Sequence, residues 1–226
     1  MKKIPTLFER QFENHKVVGI TDKVTPGCEC ILEGAGVATI KWDGSACAVI
    51  GEILYKRYDA KKGKPVPANA IKCQEEADPV TGHLPCWVPI DTNNPADKWF
   101  IKAFENTFAP HLISKGDGVI IEAPSATYEV IGPHFQGNPY HFDNDRVVIH
   151  GSDVILESSW FKSIRTFDGI LDFFKNSDEG KIEGIVFWVD GKPKCKIKRS
   201  DFGLPWPIDY PYIPDKVGMG RIRLYR

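Results

Sequence analysis

Four short segments carry side chains able to do chemistry on phosphorus. The first is Lys41-Trp42-Asp43-Gly44, in which a lysine closes the apolar run Val37-Ala38-Thr39-Ile40 and a glycine opens a turn. An amine so placed projects from a strand end, where a nucleophile can reach a substrate. The second is Glu129, inside Thr127-Tyr128-Glu129-Val130-Ile131, and the third is Glu183, beside Gly184 at the head of Ile185-Val186-Phe187. The fourth, Cys195-Lys196-Ile197-Lys198, places two lysines on one face of a strand, because side chains alternate with a period of two. A lysine, two carboxylates and a same-face lysine pair are what adenylyl transfer requires. A lysine attacks phosphorus only as the free amine, and a reference pKa of roughly 10.4 leaves it protonated at neutral pH. Lys196, Lys198 and a divalent ion would lower that value, and would offset charge on a phosphate as it becomes five-coordinate. The carboxylates would hold the ion directly or through its waters.

Each segment also has an ordinary reading. Lys-x-Asp-Gly alone arises by chance in on the order of one in ten to twenty chains of this length, and a solvated strand-end lysine is the default for Lys41. Glu183 reads alternatively as a strand-edge charge, the Lys196 and Lys198 pair as protection of an edge strand, and Glu129 as the outward residue of a half-exposed strand. Arg57, in Lys56-Arg57-Tyr58, reads alternatively as a surface charge. It is the four segments together that favour chemistry. His134, His141 and His150 have spacings that fit no metal-ligand set. Strand alternation turns Trp42 and Tyr128 away from the face of Lys41 and Glu129, into the core.

The elements that must position these residues follow from patterning. Apolar alternation in Cys30-Ile31-Leu32-Glu33, Val37 to Lys41 and Ala48-Val49-Ile50 predicts a meander of strands in the first third. A proline-rich, polar stretch from Lys61 to Pro95 predicts a long ordered loop or lid. Pro95 to Phe108 carries Trp99, Phe100, Ala103 and Phe104 at helical spacing, with Asp97 at its start. Strands are predicted at Gly118–Glu122, Thr127–Ile131, Arg146–Ile149, Ile182–Val189 and Pro193–Lys198, and a helix over Thr166–Asn176 with Ile170, Leu171, Phe173 and Phe174 as its apolar face. From Asp201 onward, prolines and glycines predict an irregular tail, which includes Arg221 and Arg223.

Composition bounds the rest. With 226 residues, 42% hydrophobic and 26% charged, the chain can bury one sizeable core as a single domain, with two lobes around a cleft as the alternative arrangement. A formal net charge of -1 means that contact with nucleic acid needs a local basic patch. The six cysteines lack zinc-site spacing and are expected as reduced thiols. No stretch reads as a signal peptide or a membrane span, so a soluble intracellular protein is expected, with no membrane partner.

Taken in order, the four segments resemble motifs I, III, IV and V of the covalent nucleotidyltransferases, the superfamily of RNA ligases, DNA ligases and capping guanylyltransferases. Within it the chain is most similar to small RNA ligases that join 5′-phosphate to 3′-hydroxyl ends, a group that includes a vertebrate enzyme. That likeness rests on Asp78-Pro79-Val80-Thr81-Gly82-His83 with Trp87-Val88-Pro89, on Lys98-Trp99 with Ala103-Phe104-Glu105-Asn106, and on Tyr128 to Pro133 with Gln136-Gly137-Asn138-Pro139. It spans about Lys41 to Arg199.

The resemblance implies an α+β nucleotidyltransferase domain over residues 1–226, with mainly antiparallel sheets and flanking helices around a nucleotide cleft. Only Ser200 to Arg226 follows the last motif, too short for an OB-fold, so none is expected at the C-terminal end. The resemblance makes ATP the nucleotide, Mg2+ or Mn2+ the metal, RNA with 5′-phosphate and 3′-hydroxyl ends the partner, and a monomer the active form. Lys41 becomes the adenylylated nucleophile and Asp43 the carboxylate that orients the site, with Gly44 completing the motif. Arg57 would contact the nucleotide sugar or donor phosphate. Glu129 would sit near the ribose and metal waters, Glu183 near the metal, and Lys196 and Lys198 on the phosphates. Ile40 stands where many relatives have glutamate, so adenine would be read there by backbone groups. A DNA ligase, a guanylyltransferase and a non-catalytic binder of RNA ends are the alternatives.

Overall fold

The computed structural model describes residues 1–14, 16–79, 81–108, 113–115, 118–152, 164–177 and 181–208. The chain divides into two compact units, one of residues 1–3 and 44–150, the other of residues 4–43 and 151–226. In chain order the elements begin with β1 (Phe8–Glu13), β2 (Lys16–Val24), α1 (Glu29–Leu32), β3 (Val37–Lys41), β4 (Ser45–Ile50) and β5 (Ile53–Ala60). There follow β6 (Ile71–Lys72), β7 (Leu84–Pro89), α2 (Lys98–Phe108), β8 (Ile113–Lys115), β9 (Gly118–Ile120), β10 (Ala126–Ile131) and β11 (Arg146–Ile149). The last are α3 (Phe167–Asp172), β12 (Gly184–Val189) and β13 (Lys192–Lys198), after which Arg199–Phe202 makes a 3-10 turn. Paired strands among the described residues run antiparallel, as expected, apart from an isolated parallel bridge between Thr6 and Lys196.

The unit of residues 4–43 and 151–226 holds the β1-β2 hairpin and a three-stranded sheet in the order β13-β12-β3. Alternation along β3 sends Ala38 and Ile40 into a core shared with Ile185, Phe187, Cys195 and Ile197, and leaves Thr39 and Lys41 on the other face. Each large apolar side chain so buried stabilises the fold by about 1.5–3 kcal/mol. Phe174 and Ile170 close this core from α3 and the π-helical turn Phe173–Ser177 that continues it. Thr166 starts α3 by accepting a hydrogen bond on Oγ1 from Gly169 N at 3.1 Å.

The other unit carries an eight-stranded sheet with the path β11-β10-β4-β5-β7-β6, joined at β5 by β9 and through it by β8. One face packs Cys47, Val49, Leu54, Tyr128 and Val130 against Phe104 and Ala103 of α2. The opposite face bears Ala48, Tyr55 and Trp87, with Met1 packed on them.

Three predicted elements differ. Cys30–Glu33 is not a strand: Glu29–Leu32 forms one helical turn between Gly27, Gly34 and Gly36, which all have positive φ and so end an apolar run too short to pair. The stretch from Lys61 to Pro95 is not one loop, because β7 lies inside it, paired on both sides and bearing buried Cys86 and Trp87. Pro85 and Pro89 hide that strand from pattern reading, since proline counts against a sheet position. The strand predicted to Glu122 stops at Ile120. Arg221 and Arg223 lie outside the described residues.

Candidate active site

The register of the three-stranded sheet brings together residues far apart in sequence. Gly184 of β12 faces Lys41 of β3 on one side and Lys198 of β13 on the other. Two positions along, Val186 faces Thr39 and Lys196. Residues opposite one another share a face, so Lys41, Lys196 and Lys198 stand on the face turned away from the core. Glu183, one residue before Gly184 and 6% exposed, joins them. Its Oε2 accepts a hydrogen bond from Lys41 Nζ, and its Oε1 lies 3.2 Å from Lys198 Nζ. The carboxylate is thus a bridge that holds both ammonium groups in place.

Gly184 is required by the packing. A Cβ there would lie 2.3 Å from Ile197 O and 3.0 Å from Lys198 Cα. The motif glycine Gly44 is required in the same way within its own unit, where a Cβ would lie 2.2 Å from Val130 O and 3.0 Å from Glu129 Cγ. The tetrad therefore ends in glycine because the chain passes against the backbone of β10.

Burial, reinforced by Lys41, Arg10 and Lys198, pushes the Lys196 ammonium down to about 8, with Asp201 opposing the shift. Asp201, 3% exposed, accepts from Arg10 Nη2 at 3.0 Å through Oδ1 and from Lys198 N at 2.8 Å through Oδ2. Sequence reading passed over Asp201 and Arg10. Asp201 caps the backbone N–H of Lys198, but a lysine at the cap position leaves no capping signature to read, and Arg10 has no local signal either. Asp43 accepts from Trp206 Nε1 at 2.8 Å. Ile40 is 8% exposed with its side chain in the core, and so is turned from the lysine face. Trp42 packs partly against that core, as strand alternation predicts.

Glu129 and Arg57 belong to the other unit. Glu129 faces Ala46 across β10 and β4, and Arg57 faces Trp87 across β5 and β7. Glu129 Oε2 lies 2.9 Å from His150 Nε2, and His150 Nδ1 lies 3.0 Å from Thr127 Oγ1. His150 is thus a carboxylate partner that sequence reading set aside. Arg57 is tied down locally: Nε donates to Asp59 Oδ1 at 2.7 Å, Nη1 donates to Met1 O at 2.6 Å, and the guanidinium lies 5.6 Å from the centre of the Trp87 ring. The motif Asp78 to His83 closes a turn: Asp78 N donates to His83 O, and Asp78 Oδ1 accepts from Thr81 N and Oγ1. His83 therefore serves that turn through its backbone. Asn138 likewise bonds to both backbone groups of Phe142.

The chemistry of this donor set decides what it can hold. Both Glu183 oxygens already meet ammonium groups, and the surplus of lysines favours an anion such as phosphate over a bare cation. Among the described residues no cluster of three or more His, Cys, Asp or Glu side chains could hold a metal ion. At Glu183, where both carboxylate oxygens face ammonium groups, the residues present do not by themselves fit a bare divalent ion.

A family model described as RNA ligase 1 matches residues 53–220. The chain belongs to the RNA ligase 1 family. It is 27% identical to the RNA ligase 1 of Danio rerio, over 92% of this chain and 82% of that protein. It is 29% identical to the RNA ligase 1 of Pongo abelii over 66% of this chain, and 26% identical to that of Rattus norvegicus over 71%. The chain spans about half the length of the Pongo abelii and Rattus norvegicus proteins, 50% of each. Within this RNA ligase 1 family member the matched residues include Arg57, Glu129, Glu183, Lys196 and Lys198 and begin after Lys41. No helix among the described residues is long and apolar enough to cross a membrane.

Proposed function

We propose that this chain is an ATP-dependent RNA ligase that works through a lysyl-AMP on Lys41. The observation that carries the reading is the row Lys41-Gly184-Lys198, with Glu183 bridging its two ammonium groups. In the first step Lys41 Nζ, having released a proton to solvent, attacks the α-phosphorus of ATP. An N–P bond forms, the bond to the β-phosphate oxygen breaks, and pyrophosphate leaves. Lys196 and Lys198 offer positive charge to the phosphates. In the second step an oxygen of an RNA 5′-phosphate attacks the same phosphorus, the N–P bond breaks, and AMP passes to the RNA end. In the third, a 3′-hydroxyl attacks the 5′-phosphorus, AMP departs, and a proton is released as the strand is sealed.

Glu183 has the task of holding Lys41 and Lys198 at one spacing until phosphates displace it from them. Asp43 and Gly44 set the path of the chain after the nucleophile, and Ile40 reads adenine through its backbone. Arg57 contacts the sugar or the donor phosphate, and Glu129 the ribose. Mg2+ or Mn2+ bound to the triphosphate would offset part of its charge.

Incubation with α-labelled ATP should give a labelled protein adduct that Lys41→Ala abolishes. An adduct of undiminished yield in that variant sinks the proposal. Parallel incubations with labelled GTP, then with RNA or DNA bearing a 5′-phosphate, separate this reading from a guanylyltransferase and from a DNA ligase.

A further inference from the structure

Residues 132–145 support an arrangement that the lysine chemistry does not use. Trp99, in the first turn of α2, stacks on the imidazole of His134 with ring centres 3.3 Å apart and planes at 12°. Lys98 Nζ lies 4.5 Å from the centre of the same indole. The imidazole is clamped by Asp145, which is 3% exposed. Its Oδ1 accepts from His134 N at 3.1 Å, and its Oδ2 lies 2.7 Å from His134 Nδ1. Asn106 of α2 in turn donates to Asp145 O at 2.9 Å. Gly132 makes room for the clamp, since a Cβ there would lie 2.7 Å from Asp145 Oδ1.

A buried carboxylate, a glycine and a helix asparagine thus fix the plane of one ring. Yet that ring is exposed, as is Lys98. Stacking on Trp99 covers one face of the imidazole, yet over a third of the His134 side chain stays open to solvent, 37% exposed. The bond at Nδ1 leaves Nε2 as the ring's other polar atom. A flat ring of fixed plane, backed by an aromatic and flanked by a cation, matches the chemistry of one nucleotide: the base offers a π-face and its phosphate a negative charge. Single strands are read in this way, by stacking on aromatic side chains, whereas the bases of a duplex are stacked on each other. We propose that His134, backed by Trp99 and flanked by Lys98, is a stacking site for a nucleotide of single-stranded RNA. The proposal rests on the reading of the chain as an RNA ligase. It gives that ligase a means of gripping its substrate that is independent of the end being joined.

The test measures binding of a short, unstructured, fluorescein-labelled RNA to the full chain by anisotropy over a range of salt. His134→Ala and Trp99→Ala should each weaken binding by about 5- to 50-fold, the effect of losing one stacked base. His134→Phe, which keeps a flat ring, should bind within a few-fold of wild type. Stacking adds little to the salt dependence, so His134→Ala should leave the slope of log affinity against log salt unchanged, whereas Lys98→Ala should reduce it by about 0.7. Unchanged affinity in both alanine variants, or loss in His134→Phe as large as in His134→Ala, would overturn the stacking site. Thermal melts identify any variant that fails to fold, and His134→Phe still decides if His134→Ala does. Wild-type protein is given labelled ATP in parallel. An adduct with unaffected variants refutes the stacking site alone. No adduct, with RNA binding lost in His134→Ala, refutes the ligase reading and keeps the site.

Discussion

Lys196 is the residue whose environment departs furthest from what its neighbours in sequence suggest. The spacing Lys196-x-Lys198 makes the two lysines equivalent, but in the sheet Lys198 meets Glu183 whereas Lys196 sits half-buried among Lys41, Arg10 and Lys198. Its folded pKa of about 8 lies below the unfolded value of roughly 10.4. Between these values the unfolded chain binds more protons, so stability should rise with pH across that window, and below about 8 the whole penalty is present. Lys196→Met should flatten this rise and stabilise the fold at neutral pH by about 1–3 kcal/mol. Urea denaturation at neutral pH and again above 9 measures both effects. A steeper rise in the variant would show that another group titrates there. Residue chemistry was legible where it followed alternation: Lys41, Lys196 and Lys198 share a face, and Trp42 and Tyr128 point to cores. Partnerships made by tertiary approach, such as Arg10 with Asp201 and His150 with Glu129, leave no mark in local spacing.

Elements carry a different lesson. The strands that bear the candidate residues were readable because each has one apolar face, and β3 and β11 match their predicted bounds. β7 was not readable, since its prolines imitate a loop, nor was α1, whose single turn is too short for a period to emerge. The register of β12 between β3 and β13 could not be read at all, yet it is the register that makes a row of Lys41, Gly184 and Lys198. Gly184→Ala tests that row. With its Cβ 2.3 Å from Ile197 O, the variant must part β12 from β13, at a cost of about 1–3 kcal/mol. AMP-adduct formation should fall at least tenfold while the protein remains folded by circular dichroism. An unchanged adduct yield would mean that the spacing of the two lysines is not what matters.

At the scale of the whole molecule, composition predicts one domain with room for two lobes, and the chain divides into two compact units, each with its own core. The tetrad Lys41-Trp42-Asp43-Gly44 is where the chain passes from one to the other, between Asp43 and Gly44. Separate cores predict unfolding that departs from a single two-state step. Trp87 and Trp99 report on one unit, and Trp42, Trp188 and Trp206 on the other. Single-tryptophan variants followed through urea should therefore give different midpoints. Coincident midpoints would show that the units unfold as one.

The first three residues bear on how the protein should be handled. Met1 packs on Ala48, Tyr55 and Trp87, and its carbonyl accepts from Arg57, while Lys3 Nζ donates to Thr81 Oγ1 at 2.8 Å. A purification tag fused ahead of Met1 would emerge beside the guanidinium assigned to the nucleotide. If Arg57 contacts the nucleotide as proposed, two preparations that differ only in those added residues should differ in apparent ATP affinity, a discrepancy easily mistaken for variation in the protein itself.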